Sequence, residues 1–211
     1  MSERLDAEVD DAGVVVTTPR WATDRALGWL LTTTGLVGWV GAAVLVLERV
    51  HLYENPLAST SCDINPLVSC GSVMATPQAA LFGFPNPLLG IVGYALVVAI
   101  GTGLLAGARY ARWYWVATWV GVALAGVFLV WLWSQALFDI EKLCIYCMVC
   151  WAATIPMFWG LTGALVSRGL LPGSEGVRHF FREWTWVVVV VNYVAVIASV
   201  LAVFLPKFMD L

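Results

Sequence analysis

Four of the five cysteines in this 211-residue sequence form two spaced pairs. Seven residues separate Cys62 from Cys70, and two residues separate Cys144 from Cys147. In a helix, the shorter spacing places both sulfurs on one face. A thiolate near a helix N-terminus is also stabilised by the unpaired backbone N–H groups there. The second pair is therefore interpreted as redox-active, with a structural disulfide that caps the helix as the alternative.

The elements that carry these pairs are predicted to cross a membrane. Hydrophobic residues make up 61% of the chain and charged residues 12%, with a mean hydropathy of +0.85. A soluble domain has about 25% charged residues. Five runs without Asp, Glu, Lys or Arg each exceed the roughly 20 residues that span a bilayer as a helix; they cover residues 26–47, 88–108, 113–137, 144–166 and 184–205. Period-2 alternation, which a membrane barrel would need, is absent, so the sequence predicts an all-α integral membrane protein in contact with lipid.

The distribution of basic residues predicts the orientation of the helices. The N-terminal segment and the second and fourth links hold eight basic residues, and the other three segments hold three. By the positive-inside rule, the N-terminus is cytoplasmic, and the C-terminus and the cysteine pairs are extracytoplasmic. The resulting division is a disordered acidic cytoplasmic tail (1–25), an outer loop (48–87), a cytoplasmic link (167–183), and a fifth helix with a short outer tail (184–211). The expected location is the cell membrane.

Both cysteine pairs then lie at one oxidising membrane face. Alone, the loop pair Cys62 and Cys70 is as consistent with a plain staple as with a redox pair. Four thiolates could also bind zinc, but at this face zinc binding competes with disulfide formation. Two pairs acting in series explain the arrangement better. A mobile loop pair can meet a protein dithiol in water, and a helix-anchored pair can face an electron acceptor dissolved in lipid.

At these residues the sequence resembles the vitamin K epoxide reductase family, in its bacterial branch. The resemblance covers residues 26–166 and rests on four features in order: the Cys-Asp of Cys62, six residues and Cys70; a hydroxyl at Thr76; Asn86 before the second helix; and Cys144-x-x-Cys147 at the start of the fourth. It implies a four-helix transmembrane catalytic bundle, with the fifth helix packed beside it. Many bacterial members continue from the fifth helix into a fused thioredoxin-like domain, whereas this sequence ends at Leu211. The resemblance therefore implies a separate thioredoxin-fold partner.

The resemblance also implies roles for individual residues. Cys62 would exchange with the partner, Cys70 would pass electrons to Cys144, and Cys147 would contact a quinone of the menaquinone or ubiquinone type. Asn86, Thr76 and Trp151 are the expected quinone-binding residues. The family usually has Ser at the position of Thr76, and animal members have Tyr at that of Trp151. For Asn86, a helix cap before Pro87 is the alternative, and both roles can coexist.

Other functions are less consistent with the sequence. A quinone-coupled oxidase of the DsbB type would carry its CxxC before the spaced pair, the reverse of this order. Ion transport usually needs ionisable groups inside the membrane, and the five predicted spans have no Asp, Glu, Lys, Arg or His. We expect no metal, and no haem because His51 and His179 fall on opposite sides of the membrane. The net charge of −3 gives no reason to expect a nucleic-acid partner, and Cys150 is interpreted as a small packing residue.

Overall fold

The computed structural model describes residues 6–9, 15–55 and 58–209. Within these ranges, five long helices meet the length and hydropathy expected of membrane spans. They are α1 (Asp24–Glu54), α3 (Pro87–Leu105), α4 (Arg112–Phe138), α5 (Ile145–Ser167) and α6 (Glu175–Met209), and a short helix α2 (Cys70–Met74) lies between the first two. The predicted all-α membrane fold with five spans is confirmed.

Two of these helices extend well beyond the charge-free runs that predicted them. α1 continues to Glu54, so the segment between α1 and α2 begins about seven residues later than the predicted outer loop. α6 begins at Glu175, inside the predicted cytoplasmic link. The physical reason is that a charge-free run marks the hydrocarbon crossing, whereas backbone hydrogen bonding continues into the interface, where long charged side chains reach water.

Within the N-terminal segment the structure describes two short strands, and the disorder and cytoplasmic location predicted for residues 1–25 stay predictions. Strands β1 (Asp6–Val9) and β2 (Val15–Thr18) pair in antiparallel register, with Val9 opposite Val15. The β-branched residues of the second strand favour this conformation. A single 3-10 turn at Arg20–Ala22 then leads into α1. Residues 1–5 and 10–14 of the predicted tail lie outside the described residues.

The bundle is held together mainly by α1, which packs along α3 and α5, whereas α6 packs along α5. Glycines on α1 permit the close approach. A Cβ on Gly35 would lie 2.8 Å from Cγ2 of Val98, and one on Gly38 would overlap the ring of Tyr94. Small residues at helix interfaces serve this purpose in membranes. By contrast, α3 and α4 touch only slightly, which leaves a cleft between them.

Different segments of the chain meet at the two ends of the bundle. At one end, Arg168 after α5 forms an ion pair with Asp24 at 2.5 Å, and the indole N–H of Trp21 donates to the carbonyl of Arg182. The start of α1, the end of α5 and the start of α6 therefore meet there. All four predicted redox cysteines lie at the opposite end, where α4 and α5 are joined and α2 covers the bundle.

Candidate active site

The loop pair is closed as a disulfide at the N-terminus of α2. Cys62 and Cys70 are bonded, with their Cα atoms 5.5 Å apart. Ser69 caps the helix, since its hydroxyl oxygen accepts a hydrogen bond from the N–H of Ser72 at 3.0 Å. The helix is only five residues long, from Cys70 to Met74. The Ser69 cap and the disulfide together fix Cys70 at the first position of α2.

The carboxylate of Asp63 organises the turn that carries the loop pair. It accepts hydrogen bonds from the N–H of Thr60 at 2.6 Å, the hydroxyl of Ser69 at 2.6 Å and the N–H of Gly71 at 3.1 Å. Burial, the largest single influence, raises the pKa of Asp63, but the hydrogen bonds from Ser69, Thr60 and Gly71 together hold it below its ordinary value. Asp63 therefore stays ionised and ties the residues before Cys62 to those around Cys70.

Cys144 occupies the N-cap of α5. Its sulfur accepts a hydrogen bond from the N–H of Cys147 at 3.4 Å. A hydrogen bond from the Cys147 thiol, the largest influence, lowers the pKa of Cys144; burial opposes this, and the backbone N–H groups of Cys147 and Tyr146 add to the lowering. The nearby charge of Asp63 acts in the opposite direction. The net effect is a lowered pKa for the thiol at the start of this helix.

The two pairs meet at Cys70 and Cys144, whose sulfurs are 3.1 Å apart. A backbone bridge brings them together: the N–H of Leu143 donates to the carbonyl of Leu67 at 2.8 Å, and the N–H of Ser69 donates to the carbonyl of Leu143 at 3.0 Å. The meeting point is enclosed, since the exposed fractions of Cys62, Cys70 and Cys144 are 2%, 0% and 4%. The loop pair and the helix pair are therefore in position for direct exchange.

The sulfurs of Cys62, Cys70 and Cys144 lie within 4.8 Å of one another, close enough to suggest a metal site. A structural zinc site uses four ligands, and its cysteines are thiolates. Here two of the three sulfurs are bonded to each other. The cluster is therefore a disulfide beside a thiol, which is the arrangement for thiol–disulfide exchange rather than for metal binding.

A cavity of about 740 Å³ opens below the cysteines, in the cleft between α3 and α4. Cys144 and Cys147 line it, and so do all three of the residues predicted to bind a quinone: Thr76, Asn86 and Trp151. Ligand pockets usually have volumes of roughly 300–1,000 Å³ and largely apolar walls with a few polar groups. The remaining wall is mainly apolar, including Leu89, Val97, Leu124, Phe128, Leu132 and Met157.

The polar groups in this wall differ in what they can offer a ligand. The indole N–H of Trp151 is buried and has no hydrogen-bond partner among the described residues. Asn86 is largely committed, because its amide donates to the carbonyl of Gln78 at 2.7 Å and its oxygen accepts from the N–H of Leu81 at 3.1 Å. One amide proton of Asn86 remains for a ligand. The hydroxyl of Thr76 donates to the carbonyl of Val73 at 2.7 Å, so it can only accept.

The side chain of Asn86 does not cap α3, which was the alternative to a role in quinone binding. It precedes Pro87 at the start of α3, but within the described residues its side chain makes no capping hydrogen bond to that helix. It holds the 3-10 turn Pro77–Ala80 and the residue after it against the bundle. Its side chain thus shapes the end of the cavity that lies near α2 and the 3-10 turn.

The structure adds residues that the sequence did not single out. Arg49 lines the cavity, and its guanidinium donates a hydrogen bond to the carbonyl of Met74 at the end of α2. The guanidinium carbon of Arg49 also lies 4.7 Å from the centre of the Tyr53 ring. Tyr94, also in the cavity wall, bonds through its hydroxyl to Thr154 at 2.8 Å. Arg49 is the only arginine in residues 48–87, the predicted outer loop, and this was the only feature of the sequence that could have marked it as a site residue.

Two further contacts bear on the cysteines. The hydroxyls of Ser61 and Tyr146 are 3.0 Å apart, which joins the residue before Cys62 to the interior of the CxxC motif. Cys150 is buried, with its sulfur 3.7 Å from the carbonyl of Gly38 on α1. That position is consistent with its interpretation as a packing residue.

Comparison with known proteins gives one family. The family model described as "Vitamin K epoxide reductase family" matches residues 29–162, from α1 to most of α5. None of the curated proteins compared with the chain matches it. The matched segment contains both cysteine pairs and the three residues predicted to bind a quinone, Thr76, Asn86 and Trp151.

Proposed function

Because the chain belongs to the vitamin K epoxide reductase family, it is a membrane oxidoreductase, and we propose that it oxidises a thioredoxin-fold dithiol protein and reduces a membrane quinone. Electrons pass from the partner to Cys62 and Cys70, then to Cys144 and Cys147, and then to a quinone of the menaquinone or ubiquinone type. The oxidised partner then introduces disulfides into exported proteins.

The observation that carries this proposal is the 3.1 Å separation of the sulfurs of Cys70 and Cys144. The loop pair is a disulfide, whereas Cys144 and Cys147 are thiols. A disulfide beside a thiol is the combination that thiol–disulfide exchange needs. A staple with no redox role would not need a thiol of lowered pKa beside one of its sulfurs.

In the proposed exchange, each thiolate that attacks a disulfide releases another thiolate. A partner thiolate attacks Cys62, breaks the Cys62–Cys70 bond and releases Cys70 as a thiolate; the partner's second thiol then displaces Cys62, and the partner leaves as a disulfide. The Cys70 thiolate attacks Cys144 of an oxidised helix pair and releases the Cys147 thiolate. Cys62 next attacks Cys70, restores the loop disulfide and releases Cys144. A leaving thiol of low pKa departs faster, which fits the lowered pKa of Cys144.

The residues around the cavity fit a quinone headgroup near the helix pair. A quinone, when bound, accepts two electrons and two protons. The Cys144–Cys147 dithiol supplies both and becomes a disulfide. The unpartnered N–H of Trp151 and the remaining amide proton of Asn86 are donors suited to a carbonyl oxygen, and the apolar wall along α3 and α4 suits an isoprenoid tail. In this proposal Thr76 shapes the pocket and offers only an acceptor.

The partner's approach requires the loop pair to become accessible, because Cys62 is buried. The residue before it is held by two weak contacts: the hydroxyl of Tyr146, and the carboxylate of Glu48, which accepts from the N–H of Ser61 at 3.2 Å. Both are exposed hydrogen bonds and can be exchanged for water at low cost. Ser61 can therefore be released when the partner engages, while the hydrogen bonds between Thr60 and Asp63 keep the rest of the turn in place.

We also propose that the cysteine end of the bundle is extracytoplasmic and the N-terminus cytoplasmic. The contacts between α1, α5 and α6 at the other end involve Trp21, Asp24, Arg168 and Arg182, and most of the basic residues belong to that end. The positive-inside rule assigns it to the cytoplasm. Disulfides persist on the opposite, oxidising face.

The direct test is turnover by the full chain in lipid nanodiscs. Reduced thioredoxin serves as a generic thioredoxin-fold donor, and a short-chain ubiquinone and a dimethyl naphthoquinone serve as alternative acceptors. We expect quinol to form in a one-to-one ratio with oxidised donor. Cys150→Ala is the matched control: Cys150 also lines the cavity, but the proposed relay does not use its thiol, so this variant should retain most of the activity. Cys144→Ala should lose it. Equal quinol formation with and without Cys144 would contradict the proposal.

A further inference from the structure

The outer end of α6 is buried against the residues that bring the two cysteine pairs together, although α6 lies outside the matched residues 29–162. Phe204 is only 1% exposed and packs with Leu137 and Leu143. Leu67 and Val68 of the outer loop join the same cluster. Most of α6 faces outward instead, as the exposed side chains of Val190, Val194, Ile197, Leu201 and Leu205 show.

Leu143 links this cluster to the sulfur chemistry. It directly precedes Cys144, and its N–H and carbonyl form the backbone bridge to Leu67 and Ser69. Ser69 in turn directly precedes Cys70. Cys144 is anchored separately, as the N-cap of α5. A displacement of Leu143 therefore mainly loosens the bridge that places Cys70 beside Cys144.

A second contact from α6 reaches the same short link. The ammonium of Lys207 forms an ion pair with Glu141 at 2.8 Å and lies 5.6 Å from the centre of the Phe204 ring. Glu141 has a φ of +53°, a left-handed conformation that favours glycine and is unfavourable for a residue with a side chain. A partly exposed ion pair is a weak contact, so it favours the conformation of this turn, which leads into Leu143, by a small amount.

We propose that Phe204 and Lys207 are positioning residues for exchange between the two cysteine pairs. They hold Leu143 so that the sulfurs of Cys70 and Cys144 stay within exchange distance. They have no role in the transfer of electrons from Cys144 and Cys147 to the acceptor. This inference rests on the relay in the proposed function, and the experiment below separates the two.

A pre-reduced enzyme reports both steps in one experiment. All four cysteines are reduced with a phosphine, the excess is removed without air, and the full chain in nanodiscs is mixed with excess short-chain ubiquinone. The first equivalent of quinol comes from Cys144 and Cys147, which become a disulfide. The second equivalent appears only after Cys62 and Cys70 have reduced that disulfide by exchange, so a second, slower phase measures the exchange rate.

We expect Phe204→Ala to slow the second phase by about tenfold, since small misplacements of reacting groups cost one to two orders of magnitude in rate, and to leave the first phase unchanged. Phe204→Leu, which refills most of the space, should restore the rate. Leu205→Ala is the matched control, because it shortens the neighbouring, exposed side chain of the same helix. Lys207→Met removes the ion pair without opening a cavity and should slow the second phase by about threefold, a smaller loss, because an exposed ion pair is a weak contact.

The outcomes separate the hypotheses. If the unaltered chain yields only one equivalent of quinol, the relay itself fails. If it yields two but Phe204→Ala and Lys207→Met leave both phases unchanged, α6 has no positioning role. If both variants slow the two phases equally, α6 only supports the bundle, and the inference is overturned. Should Phe204→Ala not fold, the result for Lys207→Met decides.

Discussion

The sulfurs of Cys70 and Cys144 lie 3.1 Å apart, although 74 positions of sequence separate the two residues. A disulfide bond is about 2.05 Å long, so a shift of roughly an ångström would join them. Cys70 is already bonded to Cys62 on its other side. It therefore stands between two possible partners, which is the position that a relay requires of its central cysteine.

This relationship predicts that the intermediate can be trapped. With Cys62→Ser and Cys147→Ser combined, each central cysteine loses its own partner, and a mild oxidant should join Cys70 to Cys144 in nearly all molecules. Peptide mapping of the non-reduced protein measures the bond. In the control, Cys62→Ser with Cys144→Ser, Cys70 should stay largely a thiol. Free thiols at both positions in the first variant, or a bond between Cys144 and Cys150, would show that the pairs do not act in series.

The second prediction concerns the cysteine that passes electrons on. Cys147→Ala should reduce quinol formation to background, because the helix pair can no longer form a disulfide while it gives up two electrons. The loop disulfide should still form, since its two cysteines are unchanged. Quinol formation with a reduced thioredoxin-fold donor is the measurement. Cys150→Ala, three residues further along α5, should keep a rate close to that of the unaltered chain; a normal rate in Cys147→Ala would remove Cys147 from the path.

The third prediction tests the unpartnered donor in the cavity. Trp151→Phe keeps the aromatic ring but loses the N–H, and one hydrogen bond contributes about 0.5–1.5 kcal/mol. We expect the KM for the quinone to rise by roughly twofold to tenfold, with a smaller change in the rate of partner oxidation at saturating quinone. Trp159→Phe is the control on the same helix, because the indole of Trp159 already donates to Asn192 at 3.2 Å. Equal effects of the two substitutions would argue against a contact between Trp151 and the acceptor.

Much of this site follows from local signals in the sequence. Cysteine spacing and charge-free runs predict the spans and the face that carries both pairs, because each depends on a short window of residues. The structure also brings Thr76, Asn86 and Trp151 to one cavity, as the resemblance implied; their contact with a quinone stays a prediction. The closeness of Leu143 to Val68 could not be predicted in this way, since it depends on tertiary packing between distant segments.

The features that the sequence did not predict have two physical causes, the membrane interface and tertiary contacts. α1 runs on through Glu48 and Arg49 because charged residues at the interface do not end a helix. The side chain of Asn86 does not cap α3 because its amide donates a hydrogen bond to the carbonyl of Gln78, in the turn that precedes the helix. The fifth helix was expected to pack beside the bundle, and the burial of Phe204 and the ion pair of Lys207 with Glu141 reveal its contact with the links near the cysteines. In the last two cases tertiary contacts decide between conformations that local preferences leave open.

The last prediction concerns the carboxylate that holds the loop pair. The folded-state pKa of Asp63 lies below its ordinary value of 3.8, so its hydrogen bonds stabilise the loop above that pH and are lost as the pH falls through the folded-state pKa. We expect the Cys62–Cys70 disulfide to become more accessible to a phosphine reductant in that acid range. Asp63→Asn should be reduced faster at neutral pH and should show little of the acid-dependent increase.

The measurement is the ratio of reduction rates of the variant and the unaltered chain at each pH, because the ratio cancels the pH dependence of the phosphine itself. That ratio should be well above one at neutral pH and approach one in acid. Asp139→Asn is the control: the carboxylate of Asp139 accepts from Gln78 at 2.5 Å in another outer link and makes none of the contacts of Asp63. A ratio of one at neutral pH would mean that the hydrogen bonds of Asp63 to Thr60, Ser69 and Gly71 do not hold the loop closed.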